Sequence, residues 1–273
     1  MSFGDILPLL GINFALLMAV IVGLWGLSLA LKDVSFIDAF WALGMVMLAL
    51  FSYLLAARSS GATGPHALAL LALTTLWGMR LGLHLLTRWM QEGEDPRYKK
   101  IIGHAMEKRG WSFAMASLIM VFLMQAPLLF ITSLPAQAGI LADDGQALGL
   151  IAVIGIILSL VGIAFETIGD WQLKKFRANP DNGGKVLDTG LWRYTRHPNY
   201  FGDFCAWWGI WLVACDLSIW LGLVTVIGPL FLSFTLMKWS GGPLLERGMK
   251  KTRPKYADYV KRTSAFFPMP PKG

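Results

Sequence analysis

The chain has 273 residues, of which 55% are hydrophobic and 15% charged, with 12 Trp, 16 Phe and a formal net charge of +7. A soluble domain carries about a quarter charged residues, so this balance excludes an ordinary soluble protein and points to one polytopic membrane domain over residues 1–273. The positive charge does not mark a nucleic-acid binder, because the basic residues cluster beside apolar segments, where membrane proteins carry them.

The first 31 residues hold no Lys or Arg. The first apolar stretch therefore lacks the basic start of a cleaved signal peptide and is read as retained. Seven apolar segments follow one another, at 7–31, 36–57, 66–90, 111–133, 147–171, 201–214 and 217–239. Most reach the roughly 20 residues that cross a bilayer, and helices are the default because backbone groups cannot stay unpaired in lipid. The sixth is short and meets the seventh at Cys215 and Asp216, which reads as a tight helical hairpin. The expected fold is all-α, with seven spans.

Lys and Arg number one in 32–35, one in 58–65, six in 88–109, none in 134–146, six in 174–196 and nine from Lys238 onward. Rich links alternate with poor ones, which places the N-terminus outside and the three basic regions, including the C-terminal tail, in the cytoplasm. Within the tail, 244–249 and 256–263 read as short amphipathic helices on the membrane face. The end, from Phe266 to Pro271, cannot be helical throughout. Cys205 and Cys215 lie ten apart on one predicted helix, about 15 Å, too far for a disulfide.

Ionisable residues inside spans are costly and mark candidate sites. Here they are Asp38, Arg80, His84, Glu166 and Asp170, with Asp203 near an interface. Glu166, Asp170 and Lys174 recur at every fourth position with Arg177 three further on, so they share a helix face running from buried acid to interfacial base. An Asp170–Lys174 ion pair with snorkelling lysines accounts for the outer part of this face, but not for the deeper Glu166. Arg80 and His84 share a face of the third span, either bonding another helix, with Asp38 as the partner of Arg80, or lining a cavity. His66 and His104 read as structural or solvated. No metal site is expected, since neither Cys-x-x-Cys nor His-x-x-x-His occurs.

Residues 190–203 read G-L-W-R-Y-T-R-H-P-N-Y-F-G-D. Arg193 and Arg196 can fork onto phosphate oxygens. Tyr194 and Tyr200 can stack on a flat ring or donate a hydroxyl, and Asn199 can pair with an amide. Asp203 opens the next span, where a carboxylate also suits a helix N-terminus. These groups suit a nucleotide or nucleotide-like cofactor. With no G-x-G-x-x-G after a strand and no phosphate-binding G-x-x-x-x-G-K-[ST] loop, the cofactor would lie between helices and cytoplasmic loops.

The pattern R-Y-x-R-H-P-N-Y-x-G-[DE] resembles the C-terminal half of membrane steroid 5α-reductase-like proteins, and a shorter version occurs in membrane methyltransferases acting on isoprenylcysteine and phospholipids. The likeness covers roughly 163–268. It includes D-x-x-x-[KR]-x-x-R at Asp170, Lys174 and Arg177, and Y-x-K-R-T-S-A-F-F-P from Tyr259 to Pro268. V-S-F-I-D-A-F-W-A-L-G, from Val34 to Gly44, is similar to the bacterial branch of that family. The resemblance implies that residues 147–273 hold NADPH beneath the tail, through Glu166, Asp170, Lys174, Arg177, Arg193, Tyr194, Arg196, His197, Asn199, Tyr200, Asp203, Glu246, Tyr259 and Lys261. Glu166 stands where steroid reductases usually carry Asn.

The resemblance further implies that residues 1–133 take the substrate, with a carboxylic acid and a tyrosine on its carbonyl. Asp38 matches the acid, Tyr53 is the candidate tyrosine and His84 a substitute for it. The implied activity is that of a monomeric membrane oxidoreductase carrying hydride from NADPH to the C=C bond of an enone in an apolar steroid-like or lipid substrate, such as a 3-oxo-Δ4 steroid. An S-adenosylmethionine-dependent lipid or isoprenylcysteine methyltransferase and a non-catalytic lipid-binding or transport protein stay open. Five basic residues expected on one face, Lys174, Arg177, Arg193, Arg196 and Lys261, favour NADPH, because S-adenosylmethionine carries no phosphate.

Overall fold

The computed structural model of the chain describes residues 3–60, 63–239, 246, 248–249 and 252–272. Helices α1 (Phe3–Leu31), α2 (Ile37–Ser60), α3 (Pro65–Glu92) and α4 (Pro96–Arg109) open the chain. Next come α5 (Phe113–Thr132), which carries a π-helical turn at Leu118–Phe122, and the short α6 (Leu134–Ala142). Helices α7 (Leu150–Ala178), α8 (Pro198–Leu217), α9 (Ile219–Trp239) and α10 (Tyr256–Arg262) complete the fold. No strand occurs among the described residues, where a single bridge pairs Thr195 with Ser264.

Among the described residues six helices, α1, α2, α3, α5, α7 and α9, are long and apolar enough to cross a membrane by length and composition. The protein is an all-α integral membrane protein. Segment 201–214, expected as the sixth of seven spans, lies in α8, which is not among the six. The reason is its surroundings. No residue of α8 is exposed, so neighbouring helices shield it from lipid and it tolerates Asn199, Asp203 and Asp216. It runs antiparallel to α7 along a seam of small residues, as close helix packing in membranes requires. A Cβ on Gly202 would sit 2.4 Å from the Glu166 backbone nitrogen. Ser159 Oγ donates to the Ala206 carbonyl at 2.7 Å across the same seam.

Residues 134–146, read as an outer loop, instead contain α6, whose residues 135–141 are all buried. Nine residues are too few to cross a bilayer, and the helix tucks back into the bundle. Its Gln137 accepts from Asn13 Nδ2 at 2.9 Å, and Asn13 also donates to Ser52 Oγ at 2.6 Å. One polar network thus ties α1, α2 and α6 where water is scarce. Asp143 is likewise buried, accepting from the Ala67 amide at 2.8 Å.

Two sets of ties define the ends of the bundle. At one, Asp216 accepts from the Gly149 amide at 2.7 Å and meets His66 Nε2 at 2.8 Å. At the other, Trp89 Nε1 donates to Asp33 at 2.7 Å and the Asp95 amide to Ser35 Oγ at 2.8 Å. The tail packs back on the 190–203 segment. The Arg196 amide donates to Ser264 O at 2.9 Å and the Met269 amide to Tyr194 O at 3.0 Å. Phe266 and Phe267 pack edge-on against Phe201 and Phe204. The expected helix at 256–263 is α10, and the chain from Phe266 is non-helical. Of the expected helix at 244–249, Glu246, Gly248 and Met249 are helical, and the other three residues lie outside the described residues.

Candidate functional site

The repeat of Glu166 and Asp170 one turn apart aims both carboxyls from α7 toward α3. There Arg80 receives them, its Nη2 against Glu166 Oε1 and its Nη1 donating to Asp170 Oδ2 at 2.7 Å. Asn199 Nδ2, at the start of α8, donates to Asp170 Oδ1 at 3.1 Å. Arg80 therefore pairs across to α7 and not with Asp38. Asp170 takes Arg80 rather than Lys174, which lies exposed. Asp203, buried one turn along α8 from Asn199, is within electrostatic range of Glu166, Arg80 and Asp170. Glu166 Oε2 and Asp203 Oδ1 are buried with no well-formed hydrogen bond among the described residues, and the Trp77 indole beside Asp203 has its own Nε1 unpaired. Such atoms cost free energy when left bare, and they mark a place where an external donor belongs.

A second group forms where α2 meets α4. Asp38, in the first turn of α2, accepts from Tyr98 Oη at 2.5 Å and from Arg97 Nη2 at 2.7 Å, with Arg88 Nη2 3.9 Å away. Gln125 Nε2, from α5, donates to Tyr98 Oη at 3.2 Å. Burial, then the charge of Asp38, push the Tyr98 phenol well above its ordinary value, so it stays protonated. Asp38 lines a cleft of about 270 Å³ with Ser35, Arg88, Trp89, Glu92 and Asp95. Tyr98 is the functional candidate that the sequence reading missed. It lies 60 residues from Asp38, in a basic stretch read as a loop. The available signal was Asp95–Pro96, an N-cap followed by proline at the first helical position.

Tyr53 is not brought to this group. Its hydroxyl accepts from Thr63 Oγ1 at 2.7 Å, and 15 residues of helix, about 22 Å, separate it from Asp38. His84 lies half-buried one turn from Arg80, in electrostatic range of Asp170, Arg88 and Lys174. Tyr200 links the two groups, in range of Arg97 and Arg88 on one side and Asp170 and Asp203 on the other. Its ring stacks on His197 at 5.4 Å.

The five cations do not share one face. Arg196 turns inward, donating to Glu246 Oε1 at 2.8 Å and to the Thr263 carbonyl at 2.8 Å. His197 is buried and meets the same Glu246 oxygen at 3.1 Å. Tyr259 is buried and donates to the Trp192 carbonyl at 2.5 Å. These three hold the tail, which engages the Tyr259 hydroxyl and the Nε and Nη1 groups of Arg196. Lys261 is exposed beside Asp258, at 3.2 Å. Arg177 is exposed at the end of α7, in range of Arg88, Glu92 and Arg253. Arg193 lines a separate groove of about 600 Å³ with Asp188, Arg262 and Lys272. Tyr194, next to it, is exposed. No group of three or more potential metal ligands occurs among the described residues.

A helical membrane bundle with buried ionisable groups converging from α2, α3, α7 and α8 defines the class: a polytopic membrane protein with an intramembrane polar site. The chain belongs to the family described as "Protein of unknown function (DUF1295)", whose model matches residues 24–263; this is the steroid 5α-reductase-like family. It is 24% identical to the uncharacterized protein C594.04c of Schizosaccharomyces pombe, over 93% of this chain and 78% of that protein. No solved structure matches it.

Proposed function

We propose that this protein is an NADPH-dependent membrane oxidoreductase that reduces the C=C bond of an enone in an apolar, steroid-like or lipid substrate. The observation that carries the reading is the pair of unpartnered buried oxygens, Glu166 Oε2 and Asp203 Oδ1, beside the Arg80–Asp170–Asn199 cluster. Acceptors without donors fit the ribose hydroxyls and the carboxamide of a dinucleotide. The cations outside them, Arg88, Arg177 and Arg253, fit its phosphates, with Arg193 serving a phosphate that reaches the second groove. When bound, the cofactor supplies the hydride. A carbonyl oxygen that reaches the protonated Tyr98 hydroxyl from the α2–α4 cleft takes the one O–H that Tyr98 otherwise donates to Asp38, while Gln125 keeps donating to the phenol oxygen. A donor there stabilises the charge that develops on the oxygen as hydride arrives at the β-carbon.

The finer topology belongs to the same proposal. Counting α8 as a crossing makes seven, which puts the N-terminus outside, the basic links and tail in the cytoplasm, and the protein, as a monomer of the bacterial branch, in an inner membrane.

One observation favours a second reading. The buried Glu166 and Asp203 and the partly buried Asp170 surround Arg80, and Arg196 is engaged by Glu246 and the tail. That acid-rich interior also suits the cationic sulfonium and ribose of S-adenosylmethionine. The deciding experiment is binding of NADPH, NADH and S-adenosylmethionine to purified protein in detergent. The reductase reading expects NADPH to bind more tightly than NADH. Arg177→Ala and Arg193→Ala should each weaken NADPH about ten- to a hundred-fold, the loss of a charge-assisted contact. Tight S-adenosylmethionine binding without NADPH binding overturns it and promotes the methyltransferase.

A further inference from the structure

We propose that α4 is a docking surface for anionic lipid headgroups, and that headgroup contact there holds Tyr98 against Asp38. The second clause rests on reading that pair as the carbonyl site. Helix α4 is sharply bounded. Asp95 caps its N-terminus by accepting from the Arg97 amide at 2.8 Å, and Gly110 ends it in the left-handed region at φ 65°. Its links are only residues 93–95 and 110–112, and both lead directly into helices long and apolar enough to cross a membrane. Tethered this closely at both ends, α4 stays beside the membrane surface whether it is docked on it or lifted from it.

The side chains match that place. Tyr98, Ile102 and Ala105 face the bundle. At about 100° per residue, Ile101 and Lys108 fall on one flank of this stripe, and Met106 and Lys99 on the other. Ile101 and Met106 are 40% and 41% exposed, apolar side chains in water unless lipid covers them. Lys99, Lys100, Lys108 and Arg109 stand exposed around them against one acid on the helix, Glu107, with Glu94 only 3.8 Å from Lys99. Arg109 lies over the Trp111 ring at 4.7 Å, where an indole and a cation suit the headgroup layer. Paired cation and apolar flanks are what an interfacial helix presents to anionic lipid. Because Arg97 and Tyr98 sit in its first turn, lifting α4 would withdraw both from Asp38.

The test needs no turnover, so it stands apart from the reductase reading. In a Cys205→Ala, Cys215→Ala background, Met106→Cys carries an environment-sensitive fluorophore on the full chain. The chain is reconstituted in vesicles of phosphatidylcholine alone, or of phosphatidylcholine and phosphatidylglycerol in equal parts. The expected result is a blue shift with phosphatidylglycerol that high salt reverses. Lys99→Gln, Lys100→Gln and Lys108→Gln together should lower the docked-to-lifted ratio roughly a hundredfold. Equal emission in the two vesicles, or a shift untouched by the three substitutions, overturns the proposal. An acidic protein as the true occupant would give that first outcome. If docking holds while neither NADPH nor an enone is turned over, the reductase reading fails and the lipid surface stands.

Discussion

Replacing Arg80 by Met tests whether the α3–α7–α8 cluster is built as described. Arg80 Nη1 lies 2.7 Å from Asp170, and its side chain is 17% exposed against 11% for Asp170 and 4% for Glu166. At an effective dielectric of 20, two unit charges at that distance attract by about 6 kcal/mol. Most of this is offset by the cost of taking both groups out of water, and the net worth of an intact buried pair is small. Removing one partner is different, since the desolvated carboxyl groups lose their counter-charge. Arg80→Met should therefore cost about 3–5 kcal/mol. At about 2–4 °C per kcal/mol for a chain near this size, unfolding should fall by roughly 10 °C, followed by tryptophan fluorescence in detergent. Adding Glu166→Gln and Asp170→Asn to Arg80→Met removes the uncompensated charge and should restore most of the loss. If Arg80→Met unfolds within a couple of degrees of the parent, or the triple variant is no better than the single one, the cluster is not held as argued.

Three further outcomes are expected. Tyr98→Phe should lower turnover of an enone strongly while leaving NADPH affinity unchanged, measured as the split between kcat and cofactor binding. Cysteines at Lys99, Lys185 and Lys255 should be labelled from one side of the membrane and one at Asp144 from the other, Asp144 being exposed where Asp143 is buried; labelling of Asp144 and Lys185 from the same side would refute the orientation. Burial opposes the charge on Glu246, but His197 and Arg196 outweigh it and hold its carboxyl at about 2, below its ordinary 4.5. A depressed carboxyl stabilises the fold above its ordinary value and loses that contribution as pH falls toward about 2, so amide protection in 256–272, taken relative to the intrinsic exchange rate at each pH, should fall between pH 4.5 and 2 in the parent but not in Glu246→Gln.

The physical reasons for what the sequence conceals are local. Long apolar runs announce α1, α2, α3, α5, α7 and α9, because lipid contact demands them. Helix α8 reads short, at 201–214, because protein and not lipid surrounds it, so Asn199 and Asp216 bound its apolar run and Asp203 sits within it. Helix α6 is nine residues of the same composition as a span, and only Gln137 hints that it is held by polar partners inside the bundle. In the site, spacing of four exposes the Glu166–Asp170 face, since both residues sit on one helix. It says nothing of Arg80, 90 residues from Asp170, nor of Tyr98. Arg196 is a phosphate-binding side chain by type, yet Glu246 and the Thr263 carbonyl have claimed it, a competition that depends on where the tail folds.

The cluster's composition separates a structural role from a proposed functional one. A buried guanidinium placed for stability needs one well-aligned carboxylate, and hydrophobic residues of the same volume would serve the fold as well. Here Arg80 takes two carboxyl groups, Asn199 is spent on Asp170, and Asp203 adds a third acid with Oδ1 bare. Gly202 lets Glu166 and Asp203 approach because α7 and α8 touch backbone to backbone beside them. The seam is thus shaped to bring acceptors together, at a cost in stability that Arg80 and the nearby Trp77 indole offset only in part. A bound ligand carrying several N–H and O–H donors would remove that cost. Glu166→Gln should therefore raise the thermal stability of the free protein, or leave it unchanged, while weakening cofactor binding. If Glu166→Gln instead destabilises the free protein as much as Arg80→Met does, the acids are structural and the site lies elsewhere.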